Sequence, residues 1–277
     1  MNKSEIVSKL LERGQLISPK VLDQLTEEKL NSIQNSSALI LTSFEEPEIT
    51  FSVKSCEPKK STTVKDISDY YNKKYNIIKN ILASKINPIS INKLPQTKRP
   101  VTIIGLVSGK GSFILEDPTG KVEAKFANEV APLLENSILG FSGELKEKTF
   151  LISSIYYPDI SLSKQIKKPN FAIKFKKENN NIKVFVNEKE ILVPTLPTTV
   201  TIKKTIQLNI LIFEPIEPMN KNQSIEALKL RYLPEPKIPT ENFIISEEPD
   251  IFWIVQKDSW TENYKGVVIT SGENISI

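Results

Sequence analysis

Between Pro100 and Tyr157 the chain alternates apolar and polar positions in five short runs: VTIIGLV, SFILED, KVEAKF, ILGFSGEL and FLISSIYY. Period two is the spacing of a strand with one face in a core. KVEAKF is the clearest case, with Val122, Ala124 and Phe126 pointing inward and Lys121, Glu123 and Lys125 outward. EDPTGK supplies a Pro-Thr-Gly reversal between the second and third runs. APLLEN, between the third and fourth, predicts a short helix or loop. Upstream, VKDISDYYNKKYNIIKNILASK changes to the helical period and predicts an amphipathic helix over about 64–85, capped by Thr63. Its buried stripe is expected to carry Ile67, Tyr71, Ile78 and Leu82, with Tyr75 and Ile81 beside it and lysines on the far side.

The amino-terminal residues predict short helices. Ser4 caps the first, which carries Ile6, Val7, Leu10 and Leu11, and Gly14 suits its end. Ser18-Pro19 opens a second, and Leu30 and Ile33 suggest a third. ALILTSF and ITFSVKSC read as strands split by Glu45-Glu46-Pro47. Beyond the barrel-like region, FAIKFK, IKVFVNEKEILV, TVTIKKTIQLNILIF, ENFIIS, the run Ile251–Val255 and the run Val267–Ile269 read as strands, with SIEALKLRYL as one helix. Ile206, Leu208, Ile210 and Ile212 alternate, which puts one face of this sheet on a core. Dense prolines from Pro194 to Pro239 imply short connections. The expected organisation is a helical lobe at 1–36, a strand and helix region at 37–99, a five-stranded barrel at 100–158 and a β-rich domain at 159–277. Five strands with a helix or loop after the third is the order of an OB-fold. The expected class is therefore α+β, mostly β.

Composition narrows the chemistry. The 277 residues contain no histidine and one cysteine, Cys56. That removes an imidazole base, a Ser-His or Cys-His nucleophile, histidine metal ligands and Cys-rich metal sites within one chain. All-carboxylate Mg²⁺ or Ca²⁺ sites remain chemically open, but no EF-hand or P-loop spacing occurs. A lone cysteine suits a reducing, cytoplasmic setting. No run approaches the ~18–20 apolar residues of a membrane helix, and MNKSEIVSKLLERG is too charged for a secretory core. A net charge of +4 is mildly favourable to polyanions.

Four segments together resemble one family, the small B-subunits of replicative DNA polymerases, the archaeal D-family polymerase in particular. ISDYYNKKYNIIKNIL resembles the family's tyrosine-rich helix before the barrel. GSFILEDPTGKVEAKF is similar to its barrel hairpin, with Glu-Asp-x-Thr-Gly. IYYPDISL resembles the stretch leaving the barrel, and PDIFWIVQKDSWTENYKGVVITSG its last phosphoesterase segment. The resemblance implies an OB-fold packed on a calcineurin-like phosphoesterase domain, here a truncated remnant. It also implies where two-metal ligands would fall. Lys174 and Lys176 stand at Asp-x-His, Glu188-Lys189 at Gly-Asp, and Val255, Gln256, Lys257 and Asp258 at Gly-His-x-His, while Gly-Asn-His occurs nowhere. An ammonium beside a cation at ~4 Å costs about 4 kcal/mol per pair of unit charges at an effective dielectric of 20, so Lys174 and Lys176 oppose a dication pair.

The resemblance thus implies a noncatalytic accessory subunit with no cofactor and no small-molecule substrate, bound to the C-terminal region of the catalytic polymerase chain at an archaeal replisome, with at most weak contact to DNA. Trp253, Trp260 and Tyr264 are the expected partner anchors. The alternative is a stand-alone barrel binding single-stranded nucleic acid. In that case Lys110, Lys121, Lys125, Lys146 and Lys148 would follow phosphates, and Phe113, Phe126, Phe141 or Phe150 would stack on bases.

Overall fold

A computed structural model describes residues 3–12, 16–19, 22, 40–41, 48–54, 63–97, 99–109, 113–126, 133–162, 164–167, 169, 171–179, 181–204, 206–234 and 241–277. The chain divides into two compact units, Met1–Ile49 and Thr50–Ile277. In the first unit, helix α1 (Lys3–Glu12) buries Leu10. Strands β1 (Leu16–Ile17) and β2 (Ile40–Leu41) pair in parallel, so the expected helical lobe contributes one strand, which joins a strand of the run expected at ALILTSF. Leu22 N–H donates to Ser18 O at 3.0 Å, which makes Ser18-Pro19 the start of a helical turn. The turn expected at Leu30 and Ile33 lies outside the described residues.

The second unit begins with β3 (Thr50–Lys54) and α2 (Val64–Ala83). Thr63 and Asp66 cap each other's backbone at the start of α2, the reciprocal arrangement of a capping box. Its buried line is Tyr70, Lys74, Ile78 and Leu82, each four residues from the next. Ile67 and Tyr71 remain more than a third exposed, so the stripe expected from apolar residues alone is one position off over the first two turns. The reason is Lys74. Its stem is buried and its ammonium lies 3.6 Å from the centre of the Tyr232 ring, so a cation occupies a core position through the aromatic face.

Strands β4 (Pro88–Ile89), β5 (Val101–Ser108), β6 (Phe113–Asp117), β7 (Gly120–Phe126), β8 (Ile138–Lys146) and β9 (Thr149–Tyr156) follow, with a 3-10 helix at Ile91–Gln96. The five longer strands are the five predicted runs. They close a ring in the order β5-β6-β7-β9-β8, with β8 returning to β5 and only β7–β9 parallel within it. Alternation fills the interior with Ile103, Val107, Leu115, Ala124, Leu139, Phe141, Phe150 and Ile152. The 3-10 helix adds Ile91 and Leu94 to this core. The Asp117 turn holds it there: Asp117 Oδ2 accepts from Ile91 N, Thr119 Oγ1 from Asn92 N, and Asp117 Oδ1 from Thr119 N and Gly120 N. Glu-Asp-x-Thr-Gly is therefore both the hairpin turn and the latch of the plug. A register shift between Ser142 and Gly143 brings the β9 backbone so near that a Cβ on Gly143 would lie 2.1 Å from Leu151 O. Of APLLEN, the described part is coil and turn rather than helix.

Two sheets complete the unit. Strands β10 (Ile173–Glu178), β11 (Asn181–Val186) and β12 (Lys189–Val193) form a meander. Strands β13 (Thr198–Lys203), β14 (Gln207–Phe213), β15 (Ile251–Ile254), β16 (Trp260–Tyr264) and β17 (Val267–Ser271) form the larger sheet, with α3 (Lys221–Leu230) between β14 and β15. The larger order is β16-β17-β15-β14-β13-β3, parallel at β14–β15–β17. Thus Thr50–Lys54, expected upstream of the barrel, pairs with β13. Strand β18 (Asn274–Ser276) joins the meander beside β10. One face of the large sheet presents Leu211, Phe213, Phe252, Ile254 and Ile269 to α3; on the other, Trp253 meets Phe175 of the meander at 4.8 Å between ring centres. Both faces are buried along β14, not one as the alternation suggested. ENFIIS is a 3-10 turn with one isolated bridge, Tyr232 to Ile244, rather than a strand.

Candidate functional site

The densest polar construction lies where the chain leaves the barrel. Asp159 follows β9 with its backbone at φ 26°, and both its carbonyl and its carboxylate are used. Tyr264 Oη donates to the carboxylate at 2.9 and 3.1 Å, and Lys265 Nζ at 2.5 Å. The main-chain oxygen accepts Lys85 Nζ at 3.0 Å and Arg231 Nε and Nη2 at 3.3 and 3.1 Å. Lys85 also donates to Pro158 O. Arg231 Nη2 continues to Glu248 Oε1 at 2.7 Å, which in turn accepts Ser161 N at 2.9 Å. Arg231 sits in the left-handed region at the end of α3, φ 61°, and is only 3% exposed. One residue after the barrel thus fastens the end of α2, the end of α3 and the β16–β17 turn.

The electrostatics follow from that burial. Desolvation pulls the Arg231 guanidinium down from its ordinary value, against the holding charges of Glu248 and Asp159. Desolvation and then the neighbouring Arg231 charge lower Lys85. Burial pushes the Tyr264 phenol up, and its hydrogen bond to Asp159 pushes it further.

A second ionic knot stands at the start of β15. The Asp250 carboxylate, 2% exposed, accepts Lys164 Nζ at 2.9 Å, Lys167 Nζ at 3.1 Å and Asn209 N at 2.8 Å. The two lysines belong to the segment running from barrel to meander. That segment passes so close to Gly266, φ 81°, that a Cβ there would lie 2.4 Å from Lys164 O. Both knots lie at the starts of parallel strands.

At the opposite ends of β14 and β15, where open α/β sheets hold ligands, side chains bind backbone. Gln256 accepts Met219 N at 2.9 Å and donates to Met219 O at 3.0 Å. Ser271 Oγ donates to Asp258 O at 2.5 Å, Trp253 Nε1 donates to Gly272 O at 2.8 Å, and Lys177 pairs with Glu214 at 2.5 Å. Among the described residues no three His, Cys, Asp or Glu side chains come together as a metal-ligand group. No family model matches this chain, and no curated protein is significantly similar to it.

The predicted site residues are dispersed. Lys174 and Lys176 are exposed on the outer face of the meander, lining a hollow of about 790 Å³. Lys189 lies on β12 with its ammonium 4.8 Å from the Phe51 ring centre. These three stand on antiparallel strands, whereas Gln256 and Asp258 follow a parallel strand of the larger sheet. The residues at the lost-ligand positions thus stand on two sheets. Trp253 is corrected as an anchor, because it is fully buried between the sheets. Trp260 and Tyr264 are half-buried on the edge strand β16. Among the barrel lysines, Lys121 pairs with Glu116 at 2.8 Å and Lys146 with Glu144 at 2.7 Å; Lys125 and Lys148 are exposed, and Lys110 lies outside the described residues. Phe141 and Phe150 are core, and Phe113 and Phe126 form a half-buried edge-to-face pair at 5.6 Å. The residues that sequence reasoning missed are Lys85, Arg231, Glu248 and Asp250. Asp159 carried a signal through Tyr-Pro-Asp-Ile, and Tyr264 was expected as a partner anchor rather than as a donor to Asp159.

Proposed function

We propose that this chain is a noncatalytic accessory subunit of a replicative DNA polymerase, a rigid bracket for the catalytic chain at an archaeal replisome. In this reading the five-stranded ring is an OB-fold and the two sheets are a reduced calcineurin-like phosphoesterase remnant. The observation that carries it is the convergence on Asp159. Two of the four segments that resemble the polymerase B-subunits supply groups to this one point, Asp159 itself and Tyr264 with Lys265 from the last segment, and Lys85 joins them from just beyond the tyrosine-rich segment. The barrel-hairpin segment latches the barrel plug through Asp117 and Thr119. A bracket needs its two parts held at a fixed angle, and two of the resembling segments supply residues that help to hold it.

The absence of histidine from the whole sequence supports the noncatalytic part of the reading. On the barrel, outward lysines alternate with carboxylates and two are ion-paired, a poor track for phosphates, so direct DNA contact is a minor element of the proposal. Co-purification tests it. The tagged chain is expected to recover a polymerase catalytic chain in equal amount from its own cell. A purified replicative polymerase lacking this chain would refute it. A steep salt-dependent gel shift by the chain alone would favour the single-strand-binding alternative instead.

A further inference from the structure

Between α3 and the proline-bounded loop before it lies a groove of about 440 Å³, lined also by Leu134 from the connection into β8. That volume is within the ~300–1,000 Å³ span of binding pockets. Its apolar lining includes Leu134, Ile216, Met219 and Leu230. Ile216 is 84% exposed and Leu134 48%, an exposure that water does not favour. The charged lining residues are Glu217 and Glu226, both acidic, in a chain whose net charge is +4. Neither makes an ion pair with a described residue, while both lysines of α3 are drawn elsewhere. Lys221 reaches Glu262 at 3.2 Å, and Lys229 stacks 3.8 Å from the centre of the Tyr157 ring. Among the described residues the groove is therefore an apolar floor with two carboxylates that no cation pairs.

We infer that this groove is the docking site for a short apolar segment flanked by Lys or Arg in the partner chain. The inference rests on the bracket reading and names the surface by which the partner is held. Apolar side chains of the segment cover Ile216 and Leu134, and its cations meet Glu217 and Glu226. The sign matters, since a chain of net charge +4 gives a basic peptide no general attraction, whereas such a patch attracts it locally.

The test uses the full chain and two synthetic helical peptides that share one leucine stripe and differ in carrying Lys or Glu at the remaining positions. Fluorescence anisotropy is expected to show saturable binding of the Lys peptide, weakened by salt, and little binding of the Glu peptide. E217K/E226K, two surface changes, should weaken the Lys peptide about tenfold and improve the Glu peptide; Ile216→Ser should weaken both. Binding of neither peptide, or no change in the variants, overturns the inference, as does a dimer that Ile216→Ser dissociates, which would give the groove to a second copy. Polymerase co-purification separates this from the parent reading. If wild type and E217K/E226K hold the catalytic chain equally, the bracket stands and the groove inference falls. If neither holds it while the peptides discriminate, the groove inference stands and the polymerase reading falls.

Discussion

Replacing Arg231 with alanine removes the cation at the centre of the Asp159 knot. Three hydrogen bonds go with it, two to Asp159 O and one to Glu248. Breaking a buried, hydrogen-bonded charge pair costs about 3–5 kcal/mol. The Glu248 side chain is 27% exposed and regains water when its partner leaves, so about 3 kcal/mol, the low end of that range, is expected. For a unit of this size that lowers Tm by about 6–12 °C. Backbone strain provides an internal control. Arginine and alanine both pay for the left-handed conformation at φ 61°, whereas glycine does not. R231G should therefore be more stable than R231A by about 1 kcal/mol. Urea unfolding followed by tryptophan emission reads both values. A loss under about 1 kcal/mol for R231A would refute the claim that this knot fastens barrel to sheet, and equal stability of the two variants would refute the backbone strain at position 231.

Three further outcomes follow from the geometry. Burial raises the phenols of Tyr75, Tyr157 and Tyr264, with the Asp117, Glu226 and Asp159 charges adding to it in turn. Their contribution to stability is complete below the unfolded value near 10 and is lost as pH rises through the raised folded values; an ultraviolet titration should show at least these three of the seven tyrosines ionising only at higher pH or on unfolding, and seven alike would contradict it. Gly143→Ala forces a Cβ against the Leu151 carbonyl and should abolish soluble folded barrel, whereas Gly105→Ala, facing Leu115 Cβ at 3.1 Å, should leave a folded and weakened protein, as circular dichroism would show. Trp253→Phe leaves Gly272 O without its donor and should cost about 1–3 kcal/mol; it should also remove the blue-shifted, quencher-resistant part of the emission and leave that of Trp260.

The barrel was legible because its strands obey local rules. Lys121 to Phe126 alternate without a fault, and Thr63 with Asp66 marks the helix start. What was hidden was hidden for identifiable reasons. Lys74 looked like a solvent residue because its burial depends on Tyr232, which is distant in sequence. The run from Ile182 to Val193 read as one strand because its reversal is Asn187-Glu188, both at positive φ, without the glycine that usually marks such a turn. Strand β3 pairs with a partner well over a hundred residues away, and no local pattern encodes that choice. Strand β18 was too short to show alternation. At the candidate site, Tyr-Pro-Asp-Ile pointed to Asp159, but Arg231 and Glu248 are single charges in ordinary contexts and became visible only through the fold. The two-sheet separation of Lys174 and Gln256 was likewise a property of pairing, not of spacing.

The most direct measurement is the mass, by light scattering, of this chain after mixing with a purified catalytic chain of an archaeal D-family polymerase from the same cell. The account predicts one species containing one copy of each chain, with polymerase activity and no phosphoesterase turnover contributed by this chain. Two separate peaks at every concentration, or hydrolysis of a primer strand that depends on this chain, would contradict it.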